Sequence, residues 1–150
     1  MKIAIGSDHV GRELKLKLML WFDENQIQYH DFGAYSDERT NYPEYAVPTA
    51  KAVLSGEYDY GILICGTGVG ISIAANKIKG IRCVCCSEPY SALLSRQHNN
   101  TNMLAFGSRV VGLDLAKMIV ESFINGKYEG GRHQVRLDEI ASIEEKQDVK

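Results

Sequence analysis

Residues 62–77, ILICGTGVGISIAANK, decide the fold. They begin as an apolar run, pass Cys65, and turn through Gly66, Gly68 and Gly70. Ile71, Ala74, Ala75 and Ile78 then recur at i, i+3, i+4 and i+7, the spacing of one helix face. Buried strand, tight turn and helix, in that order, form half of a parallel βαβ unit. The question the stretch raises is why a thiol stands at the mouth of a glycine turn.

The same alternation extends both ways along the chain. Strands are expected at 2–6, 28–33, 60–65, 81–86 and 102–107. Helices are expected at 10–25, 43–55, 69–79, 88–98, 112–125 and 132–147, the last one charged. Leu14, Leu18, Trp21 and Phe22 mark the buried face of the first helix. Pro48 predicts a kink or break in the second, Pro89 sits at a favoured first-turn position, and Gly126 closes the fifth. The strands are near-continuously apolar, as parallel strands buried on both faces are. The expected architecture is α/β: a three-layer, Rossmann-like fold with a five-stranded parallel sheet and an extra C-terminal helix. No linker or repeat divides the chain, so residues 1–150 read as one domain.

Composition bounds the function classes. The chain has 150 residues, 45% hydrophobic and 24% charged, enough for a substantial core. A net charge of −2 and the lack of a basic run argue against nucleic-acid binding. MKIAIGSDHVG does not read as a signal peptide, and no window approaches a membrane span. A cytoplasmic protein with reduced thiols is expected. Cys83 and Cys86 match C-x-x-C, but on a strand residues three apart face opposite ways and do not share a metal. Cys83, Cys85 and Cys86 therefore read as small buried hydrophobes.

In parallel α/β sheets ligands bind beyond the carboxyl ends of the strands. Those ends carry Ser7-Asp8-His9, the 34–42 loop with Tyr42, Cys65-Gly66-Thr67, Ser87-Glu88, and Gly107-Ser108-Arg109. The glycine turn has three readings. It holds part of a dinucleotide fingerprint, with Glu88 placed 20 residues after Gly68, but Ile71 stands at the sixth position and the motif follows the third strand. It is also a plain tight turn behind a buried cysteine. Thirdly, a thiol at a helix N-terminus with unhindered N–H groups beside it suits removal of a proton next to a carbonyl. That third chemistry needs cations for a phosphate, and Arg132 and Arg136 share a helix face, preceded by a Gly-Gly pair that allows close backbone approach, while Arg109 follows the fifth strand. Opening a closed sugar needs an acid and a base, for which Asp8, His9 and His98 are candidates. His30 and His133 receive no role.

GSDHVG at 6–11, ERTNYP at 38–43, ICGTGVGISIAANK at 64–77, CSEPYSALLSRQHN at 86–99, LAFGSRVVG at 104–112 and YEGGRHQVR at 128–136 together resemble the ribose-5-phosphate isomerase B family, which also holds the galactose-6-phosphate isomerase subunits. The likeness extends to about residue 147. It implies interconversion of D-ribose 5-phosphate and D-ribulose 5-phosphate in the non-oxidative pentose phosphate pathway, without metal or organic cofactor. Allose 6-phosphate or galactose 6-phosphate is the alternative substrate, and a non-catalytic nucleotide-binding module the alternative class. The resemblance makes Cys65 the base. No acid lies in Ile71–Ala75 to replace it, as in the glutamate branch of that family. It gives Gly66, Thr67, Gly68, Val69 and Gly70 the enediolate hole, and Thr67 a part in moving a proton between substrate oxygens. It gives His98 and Asp8 ring opening, Asn99 the enediolate end of the sugar, Tyr42 the sugar face, and His9, Arg109, Arg132 and Arg136 the phosphate.

Eleven helical residues carry the chain roughly 16 Å. A helix that starts at the carboxyl edge of the sheet therefore delivers His98 and Asn99 to the opposite edge, far from Cys65. For both ends to serve one site, the second must come from a neighbouring subunit. A homodimer with shared sites, alone or paired into a dimer of dimers, is expected.

Overall fold

The computed structural model describes residues 1–147; residues 148–150 of the expected domain lie outside them. The order along the chain is β1 (Lys2–Ser7), α1 (Arg12–Glu24), β2 (Gln28–Asp31), α2 (Pro43–Leu54), β3 (Tyr60–Cys65), α3 (Val69–Ala75), β4 (Cys83–Cys85), α4 (Pro89–Asn99), β5 (Met103–Gly107), α5 (Leu113–Asn125) and α6 (Arg132–Gln147). All strand pairs are parallel, in the order β2-β1-β3-β5-β4.

The sheet is buried on both sides, and side-chain alternation divides its residues between two cores. Ile3, Ile5, Ile62, Ile64, Leu104 and Phe106 face α1, α4 and α5, where Leu18, Phe22, Ile119 and Phe123 are fully buried. Ala4, Leu63, Cys65, Cys83, Met103 and Ala105 face α2 and α3, packing on Ala46, Ala50, Ile71 and Ala75. The predicted face of α1, Leu14, Leu18, Trp21 and Phe22, is buried as expected. This second core is built of smaller side chains. α1 leaves β1 on one face and α3 leaves the neighbouring β3 on the other. The crevice between their N-termini is a switch point of the kind where α/β folds bind ligands.

Several boundaries differ from expectation. α2 runs unbroken through Pro48. α3 ends at Ala75 rather than near 79, because Lys77 and Ile78 donate to Ala74 and Ala75 carbonyls three residues back and Gly80 then adopts φ +86°. β4 covers 83–85, not 81–86, and β2 stops at Asp31 rather than residue 33. β4 is an edge strand, and Asn76 covers its open side: its amide donates to Cys83 O and accepts from Cys83 N, both at 2.8 Å. Cys83 is buried against α3 and Cys86 is half-buried on the opposite core, as alternation requires, but Cys85 is exposed, since β4 ends there at the open carboxyl edge.

One buried charge ties α1 to the loop beyond β2. Lys15 is fully buried; its Nζ donates to Asp31 Oδ1 at 2.6 Å and to Ala34 O at 2.9 Å. Burial pulls its pKa down from the ordinary lysine value, and Asp31 opposes that shift.

Candidate active site

The turn after β3 is shaped by what surrounds it. Gly68 adopts φ +80°, and a β-carbon there would come within 2.7 Å of the Phe106 backbone, so only glycine fits. In that conformation the Gly68 N–H donates to Cys65 Sγ at 3.1 Å and fixes the sulfur at the helix entrance. The first intrahelical bond of α3 is Ser72 N–H to Gly68 O, at 3.2 Å. The N–H groups of Val69, Gly70 and Ile71 lie ahead of it in the first turn, where helices leave donors free for an anion. Val69 N–H reaches Thr67 Oγ1 at 3.4 Å. Tyr42 lies over this turn so closely that a β-carbon at Gly70 would sit 2.6 Å from its Cζ.

Neighbouring turns are stitched to this one. Ser108 N–H donates to Cys65 O at 2.9 Å, and Ser108 Oγ donates to Val10 O at 3.0 Å. Arg109 N–H donates to Gly66 O at 3.1 Å, which sets the Arg109 side chain beside Gly66. Asp8 N–H donates to Ile64 O at 3.2 Å, and the buried Asp8 carboxylate accepts from Gly11 N–H at 2.9 Å. Thr40 N–H donates to His9 Nδ1 at 3.2 Å. That leaves the ring hydrogen on Nε2, the nitrogen free to donate to a ligand. Asp8, His9, Tyr42, Cys65, the 66–70 turn and Arg109 are therefore brought together at the carboxyl edge of β1 and β3.

His98, Asn99, Arg132 and Arg136 are not part of that cluster. α4 begins beside the carboxyl end of β4 and ends beside the amino ends of the strands, where Arg82 binds the Asn99 and Asn100 carbonyls. α6 lies at that same edge, with Glu144 accepting from Gly80 N–H at 3.2 Å. The expected site is thus two half-sites on opposite edges of one chain. Gly130 and Gly131, before Arg132, both have positive φ, and within the chain β-carbons there would meet nothing within 4 Å, so backbone conformation is what glycine supplies here.

Three other findings bear on the chemistry. Glu88 does not face a nucleotide pocket; its carboxylate caps α4, accepting from Ser91 N–H at 2.9 and 3.1 Å. Burial pushes the Cys86 thiol up to about 11 and the Cys83 thiol up further, so neither supplies a thiolate near neutral pH. His133, to which the sequence assigned nothing, is 5% exposed and stacks on His98, ring centroids 4.3 Å apart and planes 9° apart. The only signal for it was its position one residue after Arg132, in a helix that reads as charged.

The sequence profile of the ribose/galactose isomerase family matches residues 3–140. Ribose-5-phosphate isomerase B of Escherichia coli K12 is 62% identical over 145 residues, covering 97% of both chains. The structure of ribose-5-phosphate isomerase B from Clostridium thermocellum superposes with a TM-score of 0.96 at 49% identity, covering 98% of this chain and 99% of that one. A ribose 5-phosphate isomerase from Thermotoga maritima superposes with a TM-score of 0.92 at 45% identity, covering 94% and 97%. Sequence, fold and the thiol held at the glycine turn agree, and the chain belongs to the ribose/galactose isomerase family.

Proposed function

We propose that this chain is an aldose–ketose isomerase that interconverts D-ribose 5-phosphate and D-ribulose 5-phosphate, with residues 1–150 acting as one sugar-phosphate isomerase domain. The observation that carries the reading is Cys65 Sγ, held by the Gly68 N–H at the entrance of α3. The 62% identity to a ribose-5-phosphate isomerase B favours the five-carbon sugar over allose or galactose 6-phosphate.

The reaction runs in steps that the two half-sites divide. His98 gives a proton to the ring oxygen as the C1–O bond breaks, and Asp8 takes the proton of the anomeric hydroxyl, leaving the open aldehyde. The Cys65 thiolate then removes the C2 proton, and the electrons move to the carbonyl oxygen as a cis-enediolate. N–H groups of the 66–70 turn receive that charge. Thr67 passes a proton between the O1 and O2 positions, and the Cys65 thiol returns its proton to C1. Asn99 holds the enediolate end, Tyr42 covers the sugar, and His9, Arg109, Arg132 and Arg136 hold the phosphate. His98, Asn99, Arg132 and Arg136 come from a second copy of the chain, because within one copy they lie at the wrong edge of the sheet.

Cys65→Ala tests the base. Exchange of the substrate C2 proton with solvent, followed by proton NMR in deuterium oxide, is expected to vanish, while inorganic phosphate still binds in calorimetry. Exchange that persists in the variant removes Cys65 from the role.

A further inference from the structure

The amino-edge half-site contains a device that the steps above leave unused. Glu129 N–H donates to Gln97 O at 3.0 Å and fastens the loop before α6 to the last turn of α4. This brings the buried His133 ring face to face with the His98 ring, which remains one-third exposed. Glu129 Oε2 lies 3.9 Å from His98 Nε2 and 3.7 Å from His133 Nε2. Among the described residues His133 Nε2 has no hydrogen-bond partner although it is shielded from water. The nearest donor atoms of His98, Glu129 and His133 all fall within 4.8 Å of one another, which suggests a chelate. The stacking argues otherwise: a lone pair lies in the plane of its ring, and two parallel planes at this separation do not meet at one ion.

We infer that His133 is a positioning residue for His98: its buried ring, stacked face to face on the His98 ring, fixes the plane of that ring and so aims the group that sugar-ring opening uses. The inference rests on the reading of His98 as the ring-opening acid. Two imidazolium rings stacked at 4.3 Å would repel, so the stacked geometry is one that an uncharged His133 ring keeps. The groups facing His133 are His98 from α4, Glu129 from the connecting loop, and Arg132 and Arg136 from α6 itself. Burial lowers the His133 pKa, His98 and the arginines lower it further, and Glu129 alone opposes them. His98 is the more exposed ring of the two, with Glu129 Oε2 3.9 Å from its Nε2.

The test uses the full-length protein and two measurements. Turnover of ribose 5-phosphate requires ring opening. Exchange of the C1 proton of ribulose 5-phosphate with solvent does not, because its 5-hydroxyl is esterified and it forms no ring. His133→Ala is expected to slow ribose 5-phosphate turnover by about tenfold or more, the scale of a misplaced general acid, and to leave exchange from ribulose 5-phosphate within about twofold. His133→Phe, which retains a flat uncharged ring, is expected to restore most of the lost turnover and to give a pH profile that superimposes on the parent's. Equal losses in both measurements, no loss in either, or a shifted profile for His133→Phe would each overturn the inference. His98→Asn separates it from the reading beneath: if that variant shows no selective loss on the ring-closed sugar, His98 is not the ring-opening acid and both fall.

Discussion

A single backbone N–H does much of the work at the candidate site. Gly68 donates to Cys65 Sγ from a residue whose φ is +80° and beside which Phe106 leaves no room for a β-carbon. Gly68→Ala is expected to cost about 3 kcal/mol of stability by urea unfolding, combining left-handed strain with the clash, and to reduce isomerase activity more than Thr67→Ala does. His9 supports a gentler prediction. Its Nδ1 is occupied by Thr40 N–H, so His9→Asn is expected to raise KM for ribose 5-phosphate several-fold with little change in kcat, as loss of uniform phosphate binding does. Cys65, the glycine turn, Asp8, His9 and Arg109 were legible in the sequence because each follows an apolar strand, and strand ends are where such folds place ligands. His133 was not, since its burial comes from α6 docking on α4, a long-range contact that no local pattern encodes. Cys85 misled for the opposite reason: its strand is apolar, but it ends one residue sooner than the apolar run.

At the scale of elements, the strands declared themselves through apolar runs and the helices through their period, while ends depended on side-chain capping. Asn76 and Glu88 set two of those ends, one by covering the open side of β4 and one by capping α4. α1 and the loop beyond β2 are joined by Lys15 and Asp31. Lys15→Met keeps the packing but leaves the Asp31 carboxylate with the Gly33 N–H and no cation, and takes the Lys15 donor from the Ala34 carbonyl. A loss of about 3 kcal/mol is expected in denaturant unfolding, the low end for a broken buried pair because Asp31 retains some exposure. The α4–α6 contact is expected to depend on pH. The folded His133 pKa lies below its unfolded value of about 6.5, so below that pH the unfolded chain binds more protons than the folded one. Its contribution is complete above pH 6.5 or so and is lost as pH falls through the folded value. The urea midpoint of the parent is expected to fall more between pH 7.5 and 5.5 than that of His133→Phe.

Over the whole molecule, the Cys65 cluster and the proposed His98 half-site lie at opposite edges of a single sheet. The crossing by α4 was readable from length alone, eleven residues from Pro89 to Asn99, and the structure puts its two ends at opposite edges. No sequence pattern states what sits against those edges; the shared-site dimer proposed above would complete them. Mixing Cys65→Ala with His98→Ala under conditions of subunit exchange is expected to restore part of the activity, toward the quarter of sites that acquire two intact halves when chains pair at random. No recovery would place both halves of each site on one chain. Among the described residues no helix is long and apolar enough to cross a membrane.

Under the proposed sharing of sites, the path of α4 would also give the enzyme a concentration scale. If the thiol and the ring-opening histidine of each site belong to different molecules, rate per chain is constant only while chains remain associated. On dilution below the dissociation constant of the pair, rate is expected to follow the square of protein concentration, and substrate, by bridging the two halves, to shift that crossover to lower concentration.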